Sequence, residues 1–357
     1  MLVQAVHDHL LSETMIAIHD RRFYGSFNAG WIEYCIENSI PFKSVNCYDS
    51  DIVAQVRDCD ALLWHHSHVF YEDVLFAKQL LYSLEQAGKR VYPDFNTTWH
   101  FDDKVGQKYL LESIGAPLVP SYVFYSKSAA VDWIQGTSFP KVFKLRIGAG
   151  GMHVKLVASR EQASALVKRA FTSGFSRYDE WHNLKERLRR YRSGSDSVYG
   201  IFKGVVRLLL RPAFVRMQSS EKGYAYFQDF IADNESDTRI VVVGDRALGE
   251  KRLVRENDFR ASGSGKFVYS NIDLEAVGIA FDVSRRLKLQ SAAFDFVFDS
   301  HRRPLIVEMS YGFGTTGICN APGYWTSDLR WHEGRVNPEG WILEGIMRDF
   351  GGVRSSL

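Results

Sequence analysis

The 357-residue chain has few cysteines and no long apolar run. Its four cysteines, at positions 35, 47, 59 and 319, form no C-x-x-C pair, which favours free thiols in a reducing compartment over a disulfide framework. No apolar stretch approaches the roughly 18 residues of a membrane span. The first ten residues, MLVQAVHDHL, lack a basic segment followed by an apolar one. We therefore expect a cytoplasmic protein without a secretory signal.

Charge of either sign is also not in excess, because 44 Lys and Arg face 42 Asp and Glu. A net charge of +2 predicts no polyanionic partner, and no base-reading motif indicates nucleic acid binding. The chain does contain 45% hydrophobic and 14% aromatic residues, which is typical of a folded protein with ample core. At this length two or three domains are expected.

Strand and helix patterns divide the chain into three predicted domains. In residues 1–118, the stretches at 15–20, 61–68 and 89–94 are typical of strands, and those at 29–38, 74–87 and 102–114 of helices. This alternation predicts an α/β domain with a small parallel sheet. Residues 119–226 contain short strands and a basic insertion at 171–222, and residues 227–357 alternate strands with a helix at 274–287. The predicted fold class is therefore α/β, with an α+β second domain.

A glycine-rich loop follows a lysine in FPKVFKLRIGAGGMHV, where Lys144 precedes Gly148, Gly150 and Gly151. A Walker P-loop places its lysine after the glycines, and a dinucleotide-binding fingerprint requires a following helix. Here an alternating, strand-like stretch follows instead. The pattern predicts a hairpin whose backbone N–H groups can cover phosphates. A turn without a ligand is the alternative that this stretch leaves open.

Two carboxylates lie in apolar strands near the end of the chain. Asp295 lies within AAFDFVFD and Glu308 near the end of RPLIVEMS, and the turn SHRR joins the two strands into a predicted hairpin. A buried carboxylate requires a cation, and oxygen ligands of this type suit Mg²⁺. The alternative is that each carboxylate forms a structural ion pair with a nearby arginine. Lys144 and the glycine loop favour a nucleotide and magnesium site.

The order of these motifs between residues 94 and 314 resembles the ATP-grasp superfamily, in particular its carboxylate–amine ligases. Four segments carry the resemblance: DDKVGQKYLLESIGAPLVPS, FPKVFKLRIGAGGMHV, YFQDFIADNESDTRIVVVGD and KRLVRENDFRASGSGKF. The resemblance implies an ATP-grasp fold with ATP and Mg²⁺ as cofactors. It implies catalytic roles for Arg252 and Arg260, and metal ligation by Asp295, Glu308 and Ser310. The implied ATP-binding residues are Lys104, Lys144, Gly148, Gly150, Gly151, Gln228, Asp229, Phe230, Ile231 and Arg239, which follows Asp237 in an Asp-x-Arg pair.

The last metal motif departs from the family pattern, because Glu308-Met309-Ser310 replaces the usual Glu-x-Asn. Serine is shorter and neutral, so the departure favours one metal ion over two. The Glu-x-Ser-Tyr variant with a long lid insertion resembles ATP-grasp proteins associated with bacterial surface-polysaccharide biosynthesis. This implies amidation of a sugar acid or amino-acid substituent of a glycan.

Three alternatives stay open beside the glycan ligase. They are a non-catalytic ATP-binding protein with a degenerate metal site, an amino-acid or peptide ligase outside glycan metabolism, and phosphoryl transfer without ligation. The implied partners are small carboxylates and amines, including nucleotide-linked or lipid-linked ones, and homodimers are usual for related enzymes.

Two further stretches attract functional interpretations. In WHHSH, Trp64 and His68 lie at the C-terminal end of a predicted parallel strand, where α/β sheets bind ligands, and we interpret them as substrate contacts. No nearby cysteine or carboxylate completes a metal shell there. The insertion at 171–222 carries eleven Lys and Arg against five Asp and Glu. It is interpreted as a solvated lid face, as a peripheral contact with anionic lipid, or as a surface for a phosphorylated substrate.

Overall fold

The computed structural model describes residues 14–354, apart from Arg22, Tyr24, 149–150, Met152, 177–219 and 256–257. The chain divides into two compact units, of which unit 1 contains Met1–Phe101, Ile114–Pro117 and Asp233–Leu357, and unit 2 contains Asp102–Ser113 and Leu118–Ala232. The first and last predicted domains therefore pack largely into one unit, while the exact boundaries stay a prediction. Most of the basic insertion lies outside the described residues.

Unit 1 begins with a four-stranded parallel sheet in the order β2-β1-β3-β4. Both faces of the first strand are buried, because apolar residues cover each of them. Its strands are β1 (Ile16–His19), β2 (Phe42–Val45), β3 (Ala61–Leu63) and β4 (Arg90–Tyr92), and its helices are α1 (Asn28–Glu37), α2 (Ile52–Gln55), α3 (Tyr71–Gln86) and α4 (Phe95–Thr98).

The predicted strand at 61–68 is wrong beyond Leu63. After Trp64 N donates to Tyr92 O at 2.9 Å, the chain turns, and His66 N donates to Trp64 O at 2.8 Å. Side chains from Trp64 to His68 therefore do not point alternately to the two faces of the sheet, as they would in a strand. The segment leaves the sheet at its carboxyl edge.

Unit 2 contains a four-stranded antiparallel sheet in the order β5-β8-β6-β7. The predicted hairpin around the glycine loop is confirmed, because β6 pairs antiparallel with β7. Ser159 caps the helix Arg160–Ala170, accepting a hydrogen bond from Gln162 N. The elements are α5 (Lys104–Ser113), β5 (Ser121–Phe124), α6 (Lys127–Gly136), β6 (Lys141–Lys144), β7 (Val154–Val157), α7 (Arg160–Ala170) and β8 (Ala225–Asp229).

The remainder of unit 1 contains a seven-stranded antiparallel sheet, in the order β13-β12-β9-β10-β14-β15 with β11 also paired to β10. Its strands are β9 (Ser236–Val243), β10 (Arg246–Leu253), β11 (Phe267–Val268), β12 (Ser291–Phe298), β13 (Pro304–Ser310), β14 (Gly323–Thr326) and β15 (Trp331–Glu333). Its helices are α8 (Leu274–Leu287), α9 (Thr315–Ile318) and α10 (Pro338–Arg354). The sequence pattern predicted β9, β10, β12, β13 and α8, but not the short edge strands or α10.

One face of this sheet is half apolar and half charged. Val241, Leu248 and Ala293 belong to the core cluster that also contains Ile16 and Ile18 of the parallel sheet. Because side chains alternate along a strand, Arg239, two positions before Val241, and Glu250 and Asp295, two positions after Leu248 and Ala293, point to the same face. Those residues are charged. In the part of the chain that the structure describes, no helix is long and apolar enough to cross a membrane.

Candidate active site

In unit 2, Lys144 ends strand β6 with its side chain buried, at 4% exposure. Its Nζ donates to Oε1 of Gln228 on β8 at 2.6 Å. The amide of Gln228 in turn donates to Ser121 Oγ at 3.0 Å. The structure thus brings together the second predicted ATP-binding lysine and the first predicted hinge residue. A buried ammonium bound by a neutral amide gains further stability from an anionic oxygen, which a phosphate could supply.

The start of the glycine loop is attached to the N-terminal end of α5. Lys104, the first residue of that helix, donates through Nζ to Gly148 O. Gly148 N donates to Asp102 Oδ1 at 2.6 Å. Gly148 has a φ of +103°, a backbone conformation that glycine adopts readily. Gly151 also has a positive φ, whereas Gly150 lies outside the described residues. The structure therefore brings Lys104, the first predicted ATP-binding lysine, together with Gly148, the first glycine of the loop.

The other predicted hinge residues lie at the end of β8 and just beyond it. Asp229, its last residue, accepts from Lys141 Nζ at 2.6 Å, and Lys141 is itself buried. This pair lies opposite in register, so it holds β6 to β8. One oxygen of the Asp229 carboxylate, Oδ1, is therefore engaged by Lys141. Phe230 and Ile231 follow the strand.

In unit 1, four charged side chains form one row across the sheet, in adjacent strands. Glu250 on β10 lies opposite Arg239 on β9, and Arg239 lies opposite Asp295 on β12. Asp295 lies opposite Glu308 on β13. The sequence prediction that Asp295 and Glu308 approach on one face is consistent with this register. Ser310 follows two residues after Glu308 and points to the same face.

Arginines surround the Asp295 carboxylate. Nε and one terminal nitrogen of Arg239 donate to its two oxygens at 2.8 and 3.0 Å, and Arg252 donates to Oδ2 at 2.6 Å. Arg252 also donates to both oxygens of Asp237, at 2.7 and 2.5 Å. Burial opposes the ionisation of Asp295, but the two guanidinium groups outweigh it and hold the pKa of this carboxyl below its usual range. The ion-pair alternative therefore describes Asp295 in the ligand-free chain.

The same oxygens also fit a magnesium ion. A carboxylate has about four lone-pair positions, of which Asp295 uses three. Within the described ranges, no group of three or more His, Cys, Asp or Glu side chains could hold a metal ion. Two carboxylates and a hydroxyl suit Mg²⁺, which commonly takes its other ligands from phosphate and water. Asp295, Glu308 and Ser310 would hold it.

Glu250 is a residue of this row that the sequence analysis missed. It is 3% exposed, and its Oε2 has no hydrogen-bond partner among the residues described. Burial raises the pKa of Glu250 to about 7, against the opposing effect of Arg239 and Arg252. The sequence did contain a pattern that places Glu250 beside a predicted site residue. In RALGEKRL, Glu250 lies two residues before Arg252, so both point to one face once the segment is a strand.

The other predicted site residues lie outside this row. Arg260 lies after β10, and its guanidinium pairs with Asp258 at 2.7 Å. Trp64 is fully buried and its ring lies 5.0 Å from that of His19, while the ring of His68 lies 5.8 Å from that of Phe101. Substrate contacts of Trp64 and His68, and a phosphate contact of Arg260, stay predictions.

Comparison with known proteins agrees with this architecture. Residues 214–323 match the family described as RimK-like ATP-grasp domain. No curated protein sequence matches the chain significantly.

Solved structures give the wider likeness. A RimK domain ATP-grasp protein from Sphaerobacter thermophilus is 15% identical, with a TM-score of 0.58 over 93% of this chain and 99% of that one. D-cycloserine synthetase DcsG is 12% identical, with a TM-score of 0.58 over 94% and 99%. D-alanine–D-alanine ligase from Bacillus anthracis, complexed with ATP, is 13% identical, with a TM-score of 0.54 over 96% and 99%. The chain thus has the ATP-grasp fold, with a RimK-like segment that contains Arg239, Asp295 and Glu308.

Proposed function

We propose that the protein is an ATP-dependent ligase that joins a carboxylate to an amine and releases ADP and phosphate. The observation that carries this proposal is the row of Arg239, Asp295 and Glu308, with Arg252 beside it, on one face of a sheet in an ATP-grasp fold. Two of the similar structures are described as a synthetase and a ligase, which supports the same reaction class.

The chemistry explains why this site contains so many charges. A carboxylate resists nucleophilic attack because it is negatively charged and has no good leaving group. Transfer of the γ-phosphoryl group of ATP to a carboxylate oxygen yields ADP and an acyl phosphate. An amine then attacks the carbonyl carbon, the C–N bond forms, the bond to the phosphate oxygen breaks, and the nitrogen loses a proton. The first step brings two anions together, so it requires fixed cations in a site that excludes water.

The resemblance to the ATP-grasp ligases gives each of these residues a role. Lys104 and Lys144 would bind the upstream phosphates, and the glycine loop would cover them and exclude water. Arg252 and Arg260 would stabilise the charge on the transferred phosphoryl group. When bound by the carboxylate pair, Mg²⁺ would screen the charge of the phosphates. The ring of hydrogen bonds between Arg252 and its two aspartates fixes the guanidinium before the substrate arrives.

A non-catalytic ATP-binding protein is the second candidate, and two observations favour it. Both oxygens of Asp295 are engaged by arginines. Ser310 exchanges hydrogen bonds with the backbone of Gly312 at 3.2 and 3.3 Å. A metal site with both groups already occupied by protein partners would bind an ion weakly.

The test is ADP release by the purified full-length chain with ATP, Mg²⁺ and a panel of sugar acids and amino acids. Hydroxylamine is added to trap the acyl phosphate as a hydroxamate. A ligase forms ADP and hydroxamate together with at least one acid. ADP without hydroxamate would indicate phosphoryl transfer alone, and heat of ATP binding without ADP would indicate the non-catalytic alternative.

A matched pair of variants assigns the reaction to this site. Glu308→Ala should lower ADP release roughly 100-fold or more, because it removes a predicted metal ligand. Glu333→Ala removes an exposed glutamate on β15 and should leave the rate unchanged. Equal rates in the two variants would remove Glu308 from the site.

The finer assignment concerns the substrates. We propose a sugar acid or an amino-acid substituent of a cell-surface glycan, modified in the cytoplasm, from the resemblance around Glu308-Met309-Ser310-Tyr311. Contact of the basic insertion with anionic lipid and a homodimeric state belong to the same proposal. Sedimentation of the chain with vesicles, with and without anionic lipid, tests the first of these.

A further inference from the structure

Glu250 is a buried carboxylate whose charge the neighbouring arginines do not balance. It is 3% exposed, and its Oε2 has no hydrogen-bond partner in the described part of the chain. Arg239 and Arg252 form hydrogen bonds of 2.5 to 3.0 Å with Asp237 and Asp295 instead. In this cluster three carboxylates accompany two guanidinium groups. A buried charge without a partner is costly, so Glu250 holds its proton in the ligand-free chain up to about neutral pH, and a bound cation would allow it to ionise.

The surroundings of Oε2 are small and aromatic. A Cβ atom on Gly317 of α9 would lie 2.7 Å from Glu250 Oε2 and 2.9 Å from Cε1 of Phe267, so any side chain there would collide with the carboxylate. The hydroxyl of Tyr269 donates to Gly317 O at 2.7 Å and holds this segment in place. Phe267 is 39% exposed. The ring of Phe267 and the carboxylate of Glu250 thus both border the space beside Gly317, and an aromatic ring beside a carboxylate suits an ammonium group.

We propose that Glu250 binds the ammonium group of the amine substrate, an inference that rests on the proposed ligase function. Glu250 and Arg252 are two residues apart on one face of β10, which separates their backbones by roughly 7 Å. Arg252 is the residue proposed to face the transferred phosphoryl group. An ammonium group held by Glu250 would therefore lie near the acyl phosphate. After it transfers one proton to the Glu250 carboxylate, the neutral amine attacks the carbonyl carbon and phosphate leaves.

A second magnesium ion fits Glu250 less well than an ammonium group. Strand β9 lies between β10 and β12, so the backbones of Glu250 and Asp295 are about 10 Å apart. The guanidinium of Arg239 occupies the position between them in the row. An ion shared by the two carboxylates would have to displace a positive charge. One singly charged group at Glu250 avoids that conflict.

Methylammonium chloride is the probe for this site, because it carries the ammonium group and little else. Binding is measured by saturation-transfer NMR on the full-length chain with MgADP, at an ionic strength kept constant with potassium chloride. Wild type and the surface control Glu333→Gln should bind the probe. Glu250→Gln keeps the shape of the side chain and removes its charge, so its affinity should be roughly 10- to 100-fold weaker.

A second variant protects the test against a folding defect. Gly317→Ala keeps the charge of Glu250 but places a Cβ atom 2.7 Å from Oε2, which displaces the carboxylate, and it should also weaken methylammonium binding at least about tenfold. Circular dichroism confirms that each variant is folded. Wild-type affinity for methylammonium in Glu250→Gln would overturn the inference. So would an unchanged methylammonium affinity together with a weakened Mg²⁺ affinity, which would make Glu250 a metal ligand.

The hydroxamate assay separates this inference from the proposed function. Hydroxylamine is largely neutral at the pH of the assay, so it should trap the acyl phosphate in Glu250→Gln almost as well as in wild type. Hydroxamate formation by wild type without any effect of Glu250→Gln on methylammonium binding would retain the ligase and reject the ammonium site. Glu250-dependent binding of methylammonium without hydroxamate from any acid would reject the ligase and retain a cation site.

Discussion

Replacement of Glu250 by glutamine should change how the stability of the protein depends on pH. Burial raises the pKa of Glu250 from 4.5 to about 7 in the folded chain. Between these values the unfolded chain has released the proton and the folded chain still holds it, so the free energy of unfolding falls as the pH rises. Each pH unit costs about 1.4 kcal/mol, and the whole interval costs roughly 3 kcal/mol. Glutamine does not titrate and avoids this loss.

The assay is urea denaturation of wild type and Glu250→Gln from pH 4.5 to about 8, with a chelator and without nucleotide. All other titrating groups are shared, so they cancel in the difference between the two proteins. The variant should match wild type near pH 4.5 and become more stable by roughly 3 kcal/mol above pH 7. The exposed Glu333→Gln controls for loss of a surface charge. A difference between Glu250→Gln and wild type that does not change with pH would refute a strongly perturbed Glu250.

Three further outcomes follow from the site. Lys144→Ala should weaken ATP binding, measured by calorimetry, roughly 10- to 100-fold, because a charged hydrogen bond to phosphate is lost. The control Lys155→Ala, on β7, should bind ATP as wild type does. Equal affinities of the two variants for ATP would exclude Lys144 from the nucleotide site. Gly148→Ala should lower the free energy of unfolding by roughly 1 to 3 kcal/mol, since its φ of +103° strains any other residue, and an unchanged denaturation midpoint would contradict this. Arg252→Lys should lower ADP release at least about tenfold, because lysine cannot bond Asp237 bidentately and Asp295 at the same time, and a wild-type rate would show that this geometry is dispensable.

Much of the fold could be predicted because its signals are local. The alternation in YAYFQDFI and TRIVVVGD, and the Ser159 cap, depend on neighbours in sequence, and the structure contains the corresponding strands and helix. The hairpin that carries Asp295 and Glu308 was predictable for the same reason, since a short turn joins its strands. Local pattern failed at residues 64–68, where Trp64 and the histidines were included in the predicted strand but the chain turns out of the sheet.

The sequence could not show which charges share partners, because pairing depends on strands that are far apart in the chain. Asp295 is 43 residues from Arg252 and 56 residues from Arg239, yet it bonds both. Lys141 and Glu250 were missed for this reason. Each is an ordinary surface residue type, and only the register of β6 with β8, or of β10 with β9, buries it.

The register of the seven-stranded sheet also explains why Ser310 differs in character from Glu308. Ser310 lies opposite Ala293, which lies opposite Val241, which lies opposite Leu248, so it ends an apolar row. Glu308 ends the neighbouring charged row. The hydroxyl of Ser310 at this boundary forms its hydrogen bonds with the backbone of Gly312. The demand for a cation is therefore concentrated in the charged row, whose composition depends on strand register, because a one-residue slip of β12 would put Phe294 or Phe296 in place of Asp295.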